Sequence, residues 1–432
     1  MDGVKQQIIT LFGKGVRRAS LLRGGGGSAL PGLIIERFDP SFLKRTLSQL
    51  NHGVVLISGT NGKTTTTKMV VELLESQGLR VFTNRTGSNF TRGIVAALIE
   101  SVDIKGNLPF DIAVLELDEA YAVKFSTQIQ PKYSLFLNVL RDQLDRFGEI
   151  DATANMLHSV AIRTTGCIVV NRDDPRLVSD AFFKDTSAPI RTYGVSKQLS
   201  QLFPPDDNMR SGAQLSSRPN LLQNYDDTCL QSFENNTATF TYTNSTHTLP
   251  LLLKGIFNIQ NATAAVALTR AVMGTELHED AMLTALSKVT PAFGRGEDII
   301  VDGQPVELVL VKNPSGFRLS LASFNPAETA TMIAINDNYA DGRDMSWLWD
   351  VEFDSLSKTG VAEVSGIRAY DMALRLQYDE IEVKHVEPNS SLALRHFLDT
   401  NRNIPKRIYC TYTAMLELRK QLSKLATVEK VL

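Results

Sequence analysis

Cysteine is scarce in this sequence. Cys167, Cys229 and Cys410 are its three cysteines, too far apart in the chain for a disulfide framework or a thiolate metal cluster. That spacing points to a reducing compartment, the cytosol. An excess of one charge is also lacking: 45 Lys and Arg stand against 47 Asp and Glu, a formal net charge of −2. This gives no electrostatic case for a nucleic-acid partner. No apolar run is long enough to span a bilayer. The short stretch 8–12 is followed at once by Lys14, Arg17 and Arg18, which is unlike a signal peptide. The content of 43% hydrophobic and 21% charged residues is that of a globular protein, and 432 residues exceed one ordinary core. Two or more domains are expected.

What is present centres on Gly59-Thr60-Asn61-Gly62-Lys63-Thr64-Thr65. Val54-Val55-Leu56-Ile57-Ser58 precedes it and reads as a buried parallel strand. Met69, Val70, Leu73 and Leu74 follow at helical spacing, with Gly78 as a stop. Strand, glycine loop and helix form the context of a phosphate-binding loop. The glycines let the backbone approach an anion, and the helix N-terminus offers free N–H groups and partial positive charge. Lys63 would neutralise phosphate oxygens, and the hydroxyl of Thr64 or Thr65 would hold Mg²⁺. Ile57 stands where the strict pattern has glycine, so this is a shorter variant of the loop. The competing interpretation is an ordinary Gly-rich turn.

Residues 1–53 read as a lead-in, with Arg17, Arg18 and Arg23 ahead of the glycine run 24–27. Beyond them apolar strands alternate with helices, the pattern of an open parallel sheet. Strands are expected at 54–58, 80–83, 112–117, 133–139, 167–171 and 190–193. Ligands on such sheets gather at the carboxyl ends of strands. The run Thr83-Asn84-Arg85-Thr86-Gly87-Ser88-Asn89 sits at one such end, and Glu116-Leu117-Asp118-Glu119 at the next. Carboxylates there are costly unless solvated, paired or bound to metal, and Glu116 is the candidate Mg²⁺ ligand. Residues 196–236 read as a loop-like insertion, followed by a hairpin turning at Asn244-Ser245. Gly255-Ile256-Phe257-Asn258 opens an Ala-rich helix with Asn258 as the expected N-cap. Pro291-Ala292-Phe293-Gly294-Arg295-Gly296-Glu297 breaks the helical pattern and marks a boundary between a unit at 54–296 and one at 297–432. In the second unit strands are expected at 306–311, 330–335, 361–364, 380–385 and 406–411. Trp347 and Trp349, the two tryptophans, lie among acids. They suit a partner interface or a core corner.

Together these motifs resemble the Mur ligase superfamily, ATP-dependent amide-forming enzymes that include the folylpolyglutamate synthetase relatives. The residues 59–65 match that superfamily's loop; 255–265, with Asn261, is similar to its adenine-side helix. Gly294-Arg295-x-Glu297 resembles its arginine turn, and Asn313-Pro314 the Asn-Pro of its last domain. The segments Glu116-x-Asp118-Glu119, Arg141-Asp142-Gln143, Asn336-Asp337-Asn338 and Asp341-Gly342-x-Asp344 through Trp347-x-Trp349-Asp350 resemble its glutamine-dependent amidating branch. The resemblance implies an α/β fold: a Mur ligase-like central P-loop ATPase domain with a mostly parallel sheet, plus a smaller Rossmann-like α/β C-terminal domain.

It also implies the chemistry. ATP and Mg²⁺ would activate a carboxylate as an acyl phosphate, and ammonia would displace phosphate. Gly59, Thr60, Asn61, Gly62, Lys63, Thr64 and Thr65 would hold phosphate, Asn261 adenine, Thr64 and Glu116 the metal, and Arg295 the transferring phosphoryl group. The substrate implied is lipid II, met at the inner face of the membrane by a cytoplasmic protein. No cysteine here has a glutaminase context, so a GatD-like glutamine amidotransferase partner is implied. Asp350, or else Asp344, would complete that partner's triad. Departures from the peptide ligases bear on this. Gln143 replaces a metal-binding histidine, His158 falls where a carbamylated lysine is expected, and Phe257 replaces the histidine of the adenine motif. Many members of this branch carry a four-cysteine zinc ribbon, whereas 196–236 keeps only Cys229, so no zinc is expected. The rival activities are an amino-acid ligase acting alone and a non-catalytic ATP-binding scaffold.

Overall fold

A computed structural model describes residues 11–15, 29–84, 91–141, 150–203, 226–234, 236–243, 245–290 and 295–428. Among them lie two sheets. The first holds β1 (Val54–Ser58), β2 (Val81–Thr83), β3 (Ile112–Glu116), β4 (Tyr133–Phe136), β5 (Cys167–Asn171), β6 (Ile190–Val195), β7 (Asp226–Glu234), β8 (Thr237–Tyr242) and β9 (Ser245–Pro250), in the order β2-β3-β1-β4-β5-β6-β7-β8-β9. Pairings from β2 through β7 are parallel, and β7-β8-β9 is an antiparallel meander. The sheet is buried on both faces, which is why its central strands are nearly all apolar. Side chains alternate across it: Val55 and Ile57 join one core layer, Val54 and Leu56 the other. Helices Lys63–Ser76, Ile256–Met273 and Glu279–Lys288 cover the first layer. Helices Thr91–Ser101, Glu119–Ser126 and Ile150–Ala161 cover the second.

The second sheet holds β10 (Arg295–Val301), β11 (Gln304–Leu310), β12 (Ala330–Ala334), β13 (Glu363–Ser365), β14 (Val386–Glu387) and β15 (Lys406–Cys410), in the order β10-β11-β15-β12-β13-β14. Only β10–β11 is antiparallel. Helices Pro314–Ala322 and Ala369–Tyr378 pack on one face, Ser390–Thr400 and Tyr412–Leu422 on the other. The α/β class and the mostly parallel sheets agree with the reading of the sequence.

Five details differ from it. Arg295–Val301 is a strand where none was expected. Inside the segment read as an irregular insertion, Asp226–Glu234 is a full strand, inserted between β6 and β8; residues 204–225 lie outside the described part. Part of the lead-in is core: Ile35, Phe42, Leu43 and Leu47 are buried on helices Ala29–Phe38 and Phe42–Leu47. Asn258 is not an N-cap. Gly255, at φ +79°, occupies that position, and the Asn258 amide donates backwards to the Lys254 carbonyl at 2.8 Å. No strand forms at the expected 380–385, which contributes only one bridge from Val361 to Val383; the strand there is the two-residue Val386–Glu387 just beyond it.

Candidate active site

β1 lies inside the first sheet, third of its nine strands, between β3 and β4. The loop after it therefore opens where strand order reverses, the position at which ligands of open α/β sheets collect. Gly59 has φ +129° and Gly62 +89°, values at which a side chain would be strained. A Cβ on Gly59 would press on the backbone of Asn138 at 3.0 Å, and one on Gly62 would collide with Oδ1 of the Asn261 side chain. Asn138, after β4, clamps the loop: its Oδ1 accepts from Asn61 N–H at 2.8 Å and its Nδ2 donates to Asn61 O at 3.1 Å. Thr60 Oγ1 exchanges hydrogen bonds with the backbone of Leu140 at 3.0 and 3.2 Å. These contacts hold the loop open over the first turn of helix Lys63–Ser76, whose free N–H groups form an anion site.

Lys63 is buried. Its ammonium donates to the Gly59 carbonyl at 2.6 Å and lies 3.2 Å from Asp118 Oδ1 and 3.9 Å from Glu119 Oε1. Asp118 sits at the N-cap of helix Glu119–Ser126 without capping it; its carboxylate faces the lysine instead. Beside this pair the Thr64 hydroxyl donates to Glu116 Oε1 at 2.7 Å. The Glu116 backbone is gripped by Asn84, whose amide donates to the Glu116 carbonyl at 2.9 Å and accepts from its N–H at 3.1 Å. A threonine hydroxyl and a buried carboxylate at the mouth of an anion site form a hard oxygen donor set. That set fits Mg²⁺, which favours one or two protein oxygens shared with phosphate.

The loop also touches the second sheet's unit. Asn61 and Asn313 exchange side-chain amide hydrogen bonds, Asn313 Nδ2 to Asn61 Oδ1 at 2.9 Å and Asn61 Nδ2 to Asn313 Oδ1 at 3.2 Å. Lys312 donates to the Thr60 carbonyl at 2.9 Å. Asn313 also caps helix Pro314–Ala322 by accepting from Gly316 N–H at 2.8 Å. Its roles as cap and as cross-unit partner share one amide.

The structure thus brings together Gly59, Thr60, Asn61, Gly62, Lys63, Thr64, Glu116 and Asn261. Thr65 is buried in the helix's first turn. Arg295 opens β10 opposite Val309; its side chain lies outside the described residues, as do Arg85, Ser88, Asn89, Asp142 and Gln143. His158 is bonded to the Lys184 carbonyl at 2.7 Å, its ring tilted against Phe182 with centroids 6.1 Å apart. Asp344 closes its own turn by accepting from Ser346 N–H at 2.9 Å; hydrogen bonds from Ser346 hold its carboxyl below the usual range. Asp350 lies at the surface, 3.6 Å from the Arg141 guanidinium after β4. Of the two tryptophans Trp347 is core, 8% exposed, while Trp349 is 50% exposed and packs edge-on against Tyr378 at 5.4 Å. Asn84, Asn138 and Lys312 received no role from the sequence. Asn84 lies in the polar run 83–89, Asn138 at the end of the strand expected at 133–139 and Lys312 just before Asn313-Pro314, but only the fold shows what each one grips.

Two family models match the chain: the Mur ligase middle domain over 57–269 and the MurT ligase C-terminal domain over 310–415. The chain is 31% identical to the lipid II isoglutaminyl synthase (glutamine-hydrolyzing) subunit MurT of Streptococcus pneumoniae, over 95% of both chains. It is 31% identical to the subunit of the same name from Staphylococcus aureus, over 88% of this chain and 89% of that one. Among solved structures it is similar to MurF from Acinetobacter baumannii, TM-score 0.67 at 17% identity, over 91% of this chain and 80% of that one. It is likewise similar to MurF from Thermotoga maritima in complex with ADP, TM-score 0.65 at 15% identity, over 90% of this chain and 84% of that one.

Proposed function

The chain belongs to the MurT family of Mur ligases, and from that premise we propose that it is the ATP-consuming subunit of a glutamine-hydrolysing amidating synthase acting on lipid II. The α-carboxylate of D-glutamate in the stem peptide attacks the γ-phosphorus of ATP. The bond to the β,γ-bridging oxygen breaks, leaving ADP and an acyl phosphate. Ammonia then attacks the acyl carbon, phosphate departs, nitrogen loses a proton, and D-isoglutamine results. The observation that carries this reading is the Lys63 and Thr64–Glu116 arrangement over a helix N-terminus, in a chain similar over 95% of its length to the subunit MurT of Streptococcus pneumoniae.

Each residue has a positional or electrostatic task. The loop N–H groups and Lys63 would hold the β- and γ-phosphates, and Asn261, beside Gly62, is assigned to adenine. Thr64 and Glu116 would hold Mg²⁺, which supplies charge neutralisation as the phosphoryl group transfers. Arg295 is assigned to the transferring group itself.

Ammonia must be delivered unprotonated, because ammonium has no lone pair. This chain offers no exposed thiol to release it from glutamine: all three cysteines are buried, and burial pushes the Cys410 thiol far up, which makes it inert. A GatD-like glutamine amidotransferase would supply the Cys–His pair. Asp350 is assigned to orient its imidazole. Next to Asp350, Trp349 and the exposed Tyr370, Leu374 and Tyr378 of helix Ala369–Tyr378 follow one another at helical spacing. This is an apolar, aromatic face of the sort that anchors partners.

The test is a reconstituted assay with this chain, ATP, Mg²⁺ and lipid II at the inner leaflet's composition, read by mass spectrometry of the stem peptide. Amidation by glutamine only with the partner, and by ammonia at raised pH without it, supports the reading. Attachment of an amino acid by the chain alone would make it a peptide ligase. ATP bound but never consumed would make it a scaffold.

A further inference from the structure

On the far edge of the second sheet, remote in sequence from the phosphate loop, three ligand-type side chains converge. Glu363 on β13 is completely buried. Its Oε1 lies 2.8 Å from Nδ1 of His385, the residue before β14, and its Oε2 lies 2.7 Å from Nδ1 of His396 on helix Ser390–Thr400. The two imidazole rings face each other with centroids 4.0 Å apart. Among the described residues no lysine or arginine pairs with Glu363; its ion-pair partners are these two histidines.

A fully buried carboxylate is costly unless compensated. Here both compensating donors are imidazoles, and both use the same ring nitrogen. Two Nδ1 atoms and one carboxylate, all within 4.8 Å of one another, form a neutral-nitrogen and oxygen set suited to a borderline divalent metal. Each histidine side chain is about two-fifths exposed, 41% and 42%, so the metal would have a path in and a coordination position left for water.

We propose that Glu363, His385 and His396 form a binding site for a zinc-class divalent ion, independent of the nucleotide site. On binding, each Nδ1 proton moves by tautomerisation to Nε2, freeing both Nδ1 lone pairs with no net proton release. Nδ1 and oxygen atoms that now sit in hydrogen-bond contact move apart by a few tenths of an ångström to become neighbouring ligands. The ion fastens β13, the lead into β14 and the helix packed over both. The cysteine spacing that led the sequence to promise no zinc is silent about this site, whose members are 22 and 33 residues from Glu363.

The full chain, stripped with EDTA, is titrated with Co²⁺ while visible d–d bands are followed. One equivalent should give bands of a four- or five-coordinate ion without the near-ultraviolet charge transfer of thiolate ligation. Zn²⁺ should displace the Co²⁺, and excess Mg²⁺ with ATP should not. His385→Ala and His396→Ala should each weaken binding by at least about tenfold. The proposal is overturned if no stoichiometric band forms, if the band carries thiolate charge transfer, if Mg²⁺ removes it, or if both variants keep wild-type affinity. Should a variant fold poorly, the wild-type chain decides alone. Long-range ¹H–¹⁵N spectra of its six histidines should show two Nδ1 signals shifted by one equivalent of Zn²⁺, and six unchanged signals would refute the site.

Discussion

Lys63 faces the Gly59 carbonyl and the carboxylates of Asp118 and Glu119 at once, so its charge balances a strand end that would otherwise repel phosphate. Lys63→Met keeps the stem but removes the charge and leaves the acids uncompensated. A charge-assisted contact is worth about 1.5–3 kcal/mol, so turnover with ATP should fall roughly 10- to 150-fold or more, measured as phosphate release with both nitrogen donors. A second residue sets a dependence on pH. Asp174 is buried after β5, and its carboxylate accepts from the N–H groups of Val139, Arg176 and Leu177 at 2.6, 3.0 and 3.3 Å. Burial nevertheless pushes its pKa up to about 6. Below pH ~4 the group is protonated in both folded and unfolded chains and costs nothing. Between pH ~4 and ~6 the unfolded chain ionises first, so stability falls as pH rises, by about 3 kcal/mol in all, and then levels off. Urea midpoints measured across this range should show that loss. Asp174→Asn, less stable throughout because its amide N–H₂ faces a backbone donor, should lack the Asp174 share of the slope.

At the level of elements, the loop between β1 and its helix depends on positive φ at two glycines. Gly62→Ala adds a Cβ at φ +89° that also meets Asn261, so the loop must distort and displace the residue assigned to adenine. ATP affinity, measured by calorimetry, should drop at least about tenfold, consistent with roughly 1–2 kcal/mol of left-handed strain plus lost contacts. This element was legible in the sequence because strand, glycines and helix are contiguous and each signal is local. β7 was not. Its run Asp226-Asp227-Thr228-Cys229 looks like loop, yet Asp227 pairs with Arg172 and Thr228 accepts from Arg270 at 2.9 Å. Polar residues satisfied from neighbouring elements erase the alternation by which a strand is recognised. β10 was hidden in the same way: Glu297 forms a two-pronged pair with Arg419, both contacts at 2.9 Å, on a helix more than a hundred residues later. Partners at that distance leave no trace in a local pattern. The candidate site divides along the same line: its loop could be read from the sequence, while the grips of Asn84, Asn138 and Lys312 arise only when the sheets assemble.

Across the whole molecule, two thin contacts join the nucleotide loop to the rest of the reaction, and they should separate experimentally. The Asn61–Asn313 amide pair and the Lys312 bond to Thr60 tie the loop to the second unit. They register ATP bound on one sheet against groups carried by the other. The second contact runs from Thr60 through the Leu140 backbone to Arg141, whose guanidinium stands over Asp350 on the aromatic face assigned to the partner. Asn313→Ala removes one member of the amide pair and the cap of helix Pro314–Ala322. It should lower amidation from glutamine and from ammonia alike, by about tenfold if the lost hydrogen bonds are worth about 1.5 kcal/mol, while ATP binding changes less. Asp350→Asn keeps shape and removes one charge at the surface. It should leave the ammonia reaction within about twofold of wild type and lower the glutamine reaction by orders of magnitude, as loss of an orienting aspartate does in a triad. The ratio of the two rates, measured for each variant in one reconstituted assay, is the discriminating quantity. Asn313→Ala should keep that ratio and Asp350→Asn should collapse it, because one residue sits between the two halves of the ligase and the other between the ligase and its nitrogen supply. If Asp350→Asn slowed both reactions equally, its place beside Arg141 would matter to the ATP site instead, and the assignment of the aromatic face to a glutaminase would have to be given up.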